Sequence, residues 1–114
     1  MPVKSRYLQY LISHPDYRCV AFFQNVFLCN QNFADAKHCA AREASHIPFE
    51  FFTATKFIRT TQGGMMYFVA YDQDTSLSRY KGIEIDAFIT DELHIEDRLK
   101  VHDILQCRVR RRSK

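Results

Sequence analysis

The run Arg18-Cys19-Val20-Ala21-Phe22-Phe23-Gln24-Asn25-Val26-Phe27-Leu28 decides the fold class, because only Arg18, Gln24 and Asn25 interrupt its apolar side chains. Branched and aromatic side chains of this kind favour a strand. The lack of polar alternation predicts a strand covered on both faces, as in a parallel sheet between helices. Parallel strands need crossover connections, and helical patterns stand on either side of the run. Val3 to Ser13 places Tyr7, Leu8, Leu11 and Ile12 at helical spacing. His14-Pro15 closes it, since the residue before a proline avoids the helical region. The alanine-rich stretch from Asn32 to Ala44 predicts a second helix, with Asn30 or Asn32 as its cap and Pro48 beyond its end.

Further along, Phe49 to Phe52 reads as a short strand or loop. Lys56–Thr61 and Met65–Tyr71 flank Gln62-Gly63-Gly64 and predict a hairpin. Asp72 to Lys81 is a polar loop, Ile83 to Thr90 a second buried-type strand, and Ile95 to Val109 a helix carrying Leu99, Ile104 and Leu105. This order predicts one α/β domain over residues 1–114, with a small, largely parallel sheet, a hairpin and flanking helices. With 46% hydrophobic and 25% charged residues, the composition excludes a disordered chain. Ten Phe and six Tyr, with no Trp, predict a core built on aromatic rings.

The formal net charge is +3, and cations concentrate in Arg108-Val109-Arg110-Arg111-Arg112-Ser113-Lys114. Such a segment binds phosphate non-specifically or simply solvates a terminus. Cys19, Cys29, Cys39 and Cys107 form no C-x-x-C pair. With no signal-like or membrane-length apolar run in view, reduced thiols in a cytoplasm are the expectation.

The chemistry concentrates in Ile83-Glu84-Ile85-Asp86-Ala87-Phe88-Ile89-Thr90-Asp91-Glu92-Leu93, an apolar strand ending in two adjacent carboxylates. At the end of a rigid strand, one acid can hold Mg²⁺ and its neighbour can deprotonate an attacking water. An Asp-Glu pair can equally be a helix start, where acids meet the helix dipole favourably. Tyr80-Lys81-Gly82, the acidic-apolar run to Asp86, and Phe88-Ile89-Thr90-Asp91-Glu92-Leu93 together resemble the Walker B region of phage large-terminase ATPases. His14-Pro15-Asp16-Tyr17-Arg18, the Gly63-Gly64 turn with its following strand, and Cys107-Arg108-Val109-Arg110 are similar to further segments of that family.

The resemblance implies a partial P-loop-NTPase-like core. It makes Asp91 the Mg²⁺ ligand with Ser5, Glu92 the catalytic base, and Lys4 and Ser5 the nucleotide contacts. It also implies ATP and Mg²⁺ as cofactors, and DNA, other terminase chains or the portal as partners. The setting would be the cytoplasm of an infected bacterial cell, without a membrane role and with self-association open. Arg79, Lys81, Arg108 and Arg110 become candidate DNA or partner contacts. The chain departs from the family pattern at its start: Met1-Pro2-Val3 precede Lys4, with no glycine-rich loop. The expectation is therefore a truncated relative that does not hydrolyse ATP alone.

Competing readings are a non-catalytic binding protein, and a small metal-dependent nuclease built on Asp86, Asp91, Glu92 and His94, or on Glu84 or Asp86 with a later acid and Lys. A zinc site among His38, Cys39, His94, His102 and Cys107 fits no standard spacing. Phe51, Phe52, Lys56, Phe57, Arg59, Tyr67 and Phe68 could stack single-stranded nucleic acid, or form a hairpin with Phe inward and cations outward.

Overall fold

The first half of the Arg18–Leu28 run is an interior strand of the sheet, and the second half is not strand at all. In this computed structural model, residues 4–73, 77, 84–106 and 109 are described. Strand β1 is Arg18–Phe23, and helix α2 is Val26–Glu43. The break falls at Gln24-Asn25. The Asn25 side chain accepts a hydrogen bond from the Leu28 amide (2.9 Å) and starts the helix. The cap is thus Asn25, neither Asn30 nor Asn32, and the helix takes up the apolar Val26-Phe27-Leu28 that composition alone assigns to the strand.

Helix α1 spans Arg6–Ser13. After α2 come β2 (Glu50–Phe52), β3 (Phe57–Arg59) and β4 (Met65–Ala70), then a short turn of 3₁₀ helix at Tyr71–Gln73. Strand β5 is Ala87–Glu92, and helix α3 is Ile95–Leu105. The sheet order is β2-β3-β4-β1-β5. Strand β1 pairs in parallel with both β4 and β5, while β2–β3 and β3–β4 are antiparallel. The sheet is therefore mixed, with a parallel half around β1 and an antiparallel half holding the expected hairpin.

Alternate side chains of β1 feed two cores. Cys19, Ala21 and Phe23 join Met66 and Phe68 of β4 beneath α1 and α2, through Leu8, Leu11, Phe33 and Ala36. Phe68 is the hub of this layer: the rings of Tyr7, Phe23 and Phe33 lie 5.1, 5.6 and 5.3 Å from it. Val20 and Phe22 face the other way, with Val69, Leu77, Ile85, Val101 and Leu105, under α3. Burial of β1 on both faces is thus borne out. Cys19, Cys29 and Cys39 are buried thiols outside any disulfide.

Strand β5 differs from the expectation of a second fully buried strand. It lies at the sheet's edge and is mostly half-buried, with Thr90 inward and both terminal acids exposed. The acids belong to the strand and do not follow it.

The hairpin is locked to the α1–β1 connection. Gly63 takes φ +87°, a left-handed conformation that suits glycine. At Gly64 the constraint is spatial, because a Cβ there would sit 2.8 Å from the Pro15 carbonyl carbon and closer still to its oxygen. Thr60 Oγ1 donates to the Pro15 carbonyl and accepts from the Gly64 amide.

Candidate functional site

Asp91 and Glu92 end β5 at its carboxyl end, close to where α1 begins. Two devices bring them to a common partner. The first is a register irregularity: Ala21 pairs with Ile89 and Phe23 with Glu92, so β5 spends one residue more than β1 over that interval. A bulge of this kind re-aims side chains, and it breaks the alternation that would send neighbouring acids to opposite faces. The second is Arg98 on α3, whose guanidinium donates to the carbonyls of Asp91 (3.3 Å) and Leu93 (3.5 Å). Gln24, just beyond β1, adds a clamp. Its oxygen accepts from the His94 amide (2.9 Å) and its nitrogen donates to Asp97 (2.6 Å), tying the end of β1 to the start of α3.

The common partner is Arg6, the first residue of α1. Its guanidinium donates to Asp91 Oδ2 in a close ion pair, and its Nη1 lies 3.9 Å from Glu92 Oε1. The side chains of Arg6, Asp91 and Glu92 are 50, 55 and 43% exposed, so water and salt screen the pair. Reading the sequence missed Arg6. The one local hint was a cation in the first turn of a helix, where the dipole disfavours positive charge, and that hint names no partner.

Lys4 and Ser5 precede this turn. Ser5 Oγ accepts from the Leu8 amide (3.3 Å) as the N-cap of α1. The Lys4 amide donates to Glu43 Oε2 (3.0 Å), which also accepts from Cys39 Sγ (2.8 Å). The Cys39 hydrogen bond, followed by that of the Lys4 amide, holds the Glu43 carboxyl below its ordinary range. Glu43 thereby ties the residue before the α1 cap to the end of α2. The structure thus brings Lys4, Ser5, Asp91 and Glu92 to one end of the molecule, with Arg6 between them.

Two open clefts meet at Arg6. One, of about 330 Å³, runs from Lys4 and Ser5 to His38 and Arg42 on α2. The other, of about 420 Å³, follows β5 past Phe88 and Thr90 to Tyr10 and His102. In the second, Thr90 Oγ1 lies 3.2 Å from His102 Nε2, and the His102 ring meets Phe88 edge-on at 4.8 Å. Tyr7, beneath Arg6, has its phenol pushed up to about 12, chiefly by burial and then by the Glu92 carboxylate.

The remaining candidates separate from this site. Asp86 is buried beneath the sheet's other end, where its carboxylate accepts from the Arg18 amide (2.8 Å). It therefore stands apart from the acid pair that the nuclease reading would join it to. Among the described residues, no group of three or more His, Cys, Asp or Glu is placed to hold a metal. Arg79, Lys81, Arg108 and Arg110 lie outside the described residues, as do Gly82 and Cys107.

The hairpin aromatics are not simply inward. Ile58 is the buried residue of β3, while Phe52 and Phe57 stack on each other (4.4 Å, 10°) with Tyr67 beside them. Arg59 covers Phe52 and pairs with Glu50. These rings thus stack on one another along the hairpin, with an Arg over one of them. Among the described residues, no helix is long and apolar enough to cross a membrane. No family model, curated protein or solved structure matches the chain.

Proposed function

We propose that the chain is the acid-bearing part of a phage large-terminase ATPase core, or a shortened relative of one, serving viral DNA packaging. The carrying observation is the reach of Arg6 to Asp91, across 85 positions of sequence, and to Glu92 beside it. It sets the Lys4-Ser5 helix start against two acids at the carboxyl end of a parallel strand. In open α/β sheets ligands gather at that end.

In this reading Asp91 is a Mg²⁺ ligand and Glu92 orients and deprotonates the attacking water. Lys4 contacts phosphate, and Ser5 becomes a metal ligand on leaving its N-cap bond. Two neighbouring carboxylates already gathered around one positive charge fit a hard divalent cation. Bound Mg²⁺ would neutralise charge on the phosphates. The glycine-rich loop is not among these 114 residues, so a further segment or chain has to supply it. DNA, other terminase chains or the portal are the partners in this reading, and an infected bacterium's cytoplasm its setting.

The test is titration of a fluorescent ATP analogue with and without Mg²⁺. The parent should bind with a Mg²⁺ dependence that Asp91→Asn abolishes. Glu92→Gln should keep both the binding and the fold. Its half-exposed ion pair contributes under about 1 kcal/mol, so its melting temperature should stay within about 4 °C of the parent's. Absence of analogue binding by the parent, with Mg²⁺ present, would count against the reading.

A non-catalytic binding protein is the second reading. Its support is the exposure of Phe27 (73%) at the start of α2, and of Ile95 and Leu99 on α3. It requires capture of a partner from infected cells that Phe27→Ser abolishes, with no nucleotide dependence.

A further inference from the structure

After α3 the chain returns to the sheet. Val109 forms a parallel bridge with Ile85, two residues before β5 begins, and packs against the second core. Strand, helix and returning residue open a β–α–β unit. Among the described residues, its second strand is present only as that one bridge.

The hand of the step agrees. Helix α2 covers the first core on the way from β1 to β4, to one side of β1. A step in the opposite direction, outward past β5, keeps the same hand only with its helix on the opposite face. Helix α3 lies there, over the second core. The receiving edge is formed as well. Ala87, Phe88 and Ile89 are only half-buried. Helices α1 and α3 cover opposite faces of the sheet, so a cleft lined by Tyr10 of α1, Phe88 to Asp91 of β5 and His102 of α3 passes across the outer edge of β5.

We propose that this edge receives residues 110–114, which lie outside the described residues, as a sixth strand parallel to β5. The Ile85–Val109 bridge sets the register, with Arg111 opposite Ala87 and Ser113 opposite Ile89. Covalent continuity selects this segment over one from another chain, because the bridge has already closed the loop that brings it to the edge. Charged side chains are also what an outermost strand commonly carries. In this register the segment lies beside Asp86 to Thr90 and short of the Asp91–Glu92 end, so it does not depend on the role given to those acids. It goes beyond the ATPase reading: the β5 edge is closed by the chain itself, and the cleft past Phe88 and His102 is filled from within.

The experiment has two arms, both on the full chain, with thermal melts to confirm that each variant is folded. In the first, Ile89→Cys is combined with Ser113→Cys or with Arg112→Cys, oxidised glutathione is added, and the bonds formed are located by peptide mapping. Paired residues of neighbouring strands share a face and the next residue points away. The 89–113 pair should therefore close within one molecule about tenfold or more faster than the 89–112 pair, since only the former meets disulfide geometry. In the second arm, amide hydrogen exchange along β5 is read by nuclear magnetic resonance in the parent, Arg111→Pro and Arg112→Pro. Successive amides of a strand point to alternate sides, so one proline removes a donor aimed at β5 while the other faces solvent and is tolerated. The outward amides of β5 should exchange about tenfold or more faster in one proline variant and as in the parent in the other. Equal closure of the two cysteine pairs overturns the sixth strand. So do outward amides that exchange alike in the parent and both proline variants. Disulfide-linked dimers whose share rises with protein concentration overturn it too, and give the edge to a second copy.

Discussion

Replacing Gly64 by alanine should destabilise the protein more than the same change at Gly63, although Gly63 alone of the two has a positive φ. At Gly63 an added Cβ meets nothing within 4 Å. The cost there is the left-handed backbone, about 1–2 kcal/mol for an L residue, partly offset by the stiffer unfolded chain. At Gly64 the Cβ runs into the Pro15 carbonyl and lies 3.0 Å from Thr60 Oγ1. Neither neighbour is a flexible side-chain end. The Pro15 carbonyl accepts from Thr60, and the next turn is held by Tyr17 N to His14 O (3.1 Å) and Met65 N to Tyr17 O (2.8 Å).

Forcing these apart should cost about 2–3 kcal/mol, the upper part of the range for overpacking. Unfolding entropy near the melting point is about 0.24 kcal/mol/K for a chain of this length, so each kcal/mol moves the midpoint by about 4 °C. Thermal melts by far-ultraviolet circular dichroism should show Gly64→Ala about 8 °C or more below the parent and Gly63→Ala about 2–4 °C below. If Gly64→Ala melts within about 3 °C of the parent, or above Gly63→Ala, the locking of the hairpin against the α1–β1 connection is refuted.

Two further outcomes follow from buried groups. Asp86→Ala removes the acceptor of the Arg18 amide at the start of β1 and should cost about 1–3 kcal/mol. Asp86→Asn, which keeps an oxygen there, should recover part of that loss in urea unfolding, with an unchanged m value. Tyr7 binds its proton more tightly in the folded state, since burial and then Glu92 raise its pKa from 10.0 to about 12. Its contribution is therefore complete below pH 10 and drains away as pH rises toward 12, by the order of 2 kcal/mol. The alkaline limb of stability should be flatter in Tyr7→Phe, though Cys29, raised to about 11 by burial, leaves some slope; identical limbs in parent and variant would refute the assignment.

The parts legible in sequence were those fixed by local chemistry. Branched and aromatic side chains of Arg18–Phe23 marked the strand, and the Gly63-Gly64 turn marked the hairpin, because their signals lie within a few residues. The division at Gln24-Asn25 was hidden, since Val26, Phe27 and Leu28 are as apolar as the strand before them and only the Asn25 cap tells the two apart. The edge position of β5 was also hidden. Ile83–Thr90 is apolar in composition, but whether a strand has two neighbours is a property of the sheet order. At the site, the acids were visible as a pair. Arg6 was not, because its pairing with Asp91 spans 85 residues and depends on how α1 is laid over the sheet.

The outermost place of β5 has a practical bearing. One side of this six-residue strand pairs with no described strand, apart from the parallel bridge of Ile85 with Val109 just before it. An outermost strand is where a further strand can add to a sheet. What an incoming strand would meet at the carboxyl end of this rim is the Arg6–Asp91–Glu92 cluster, a mixed-charge edge of the kind that discourages strand-to-strand joining.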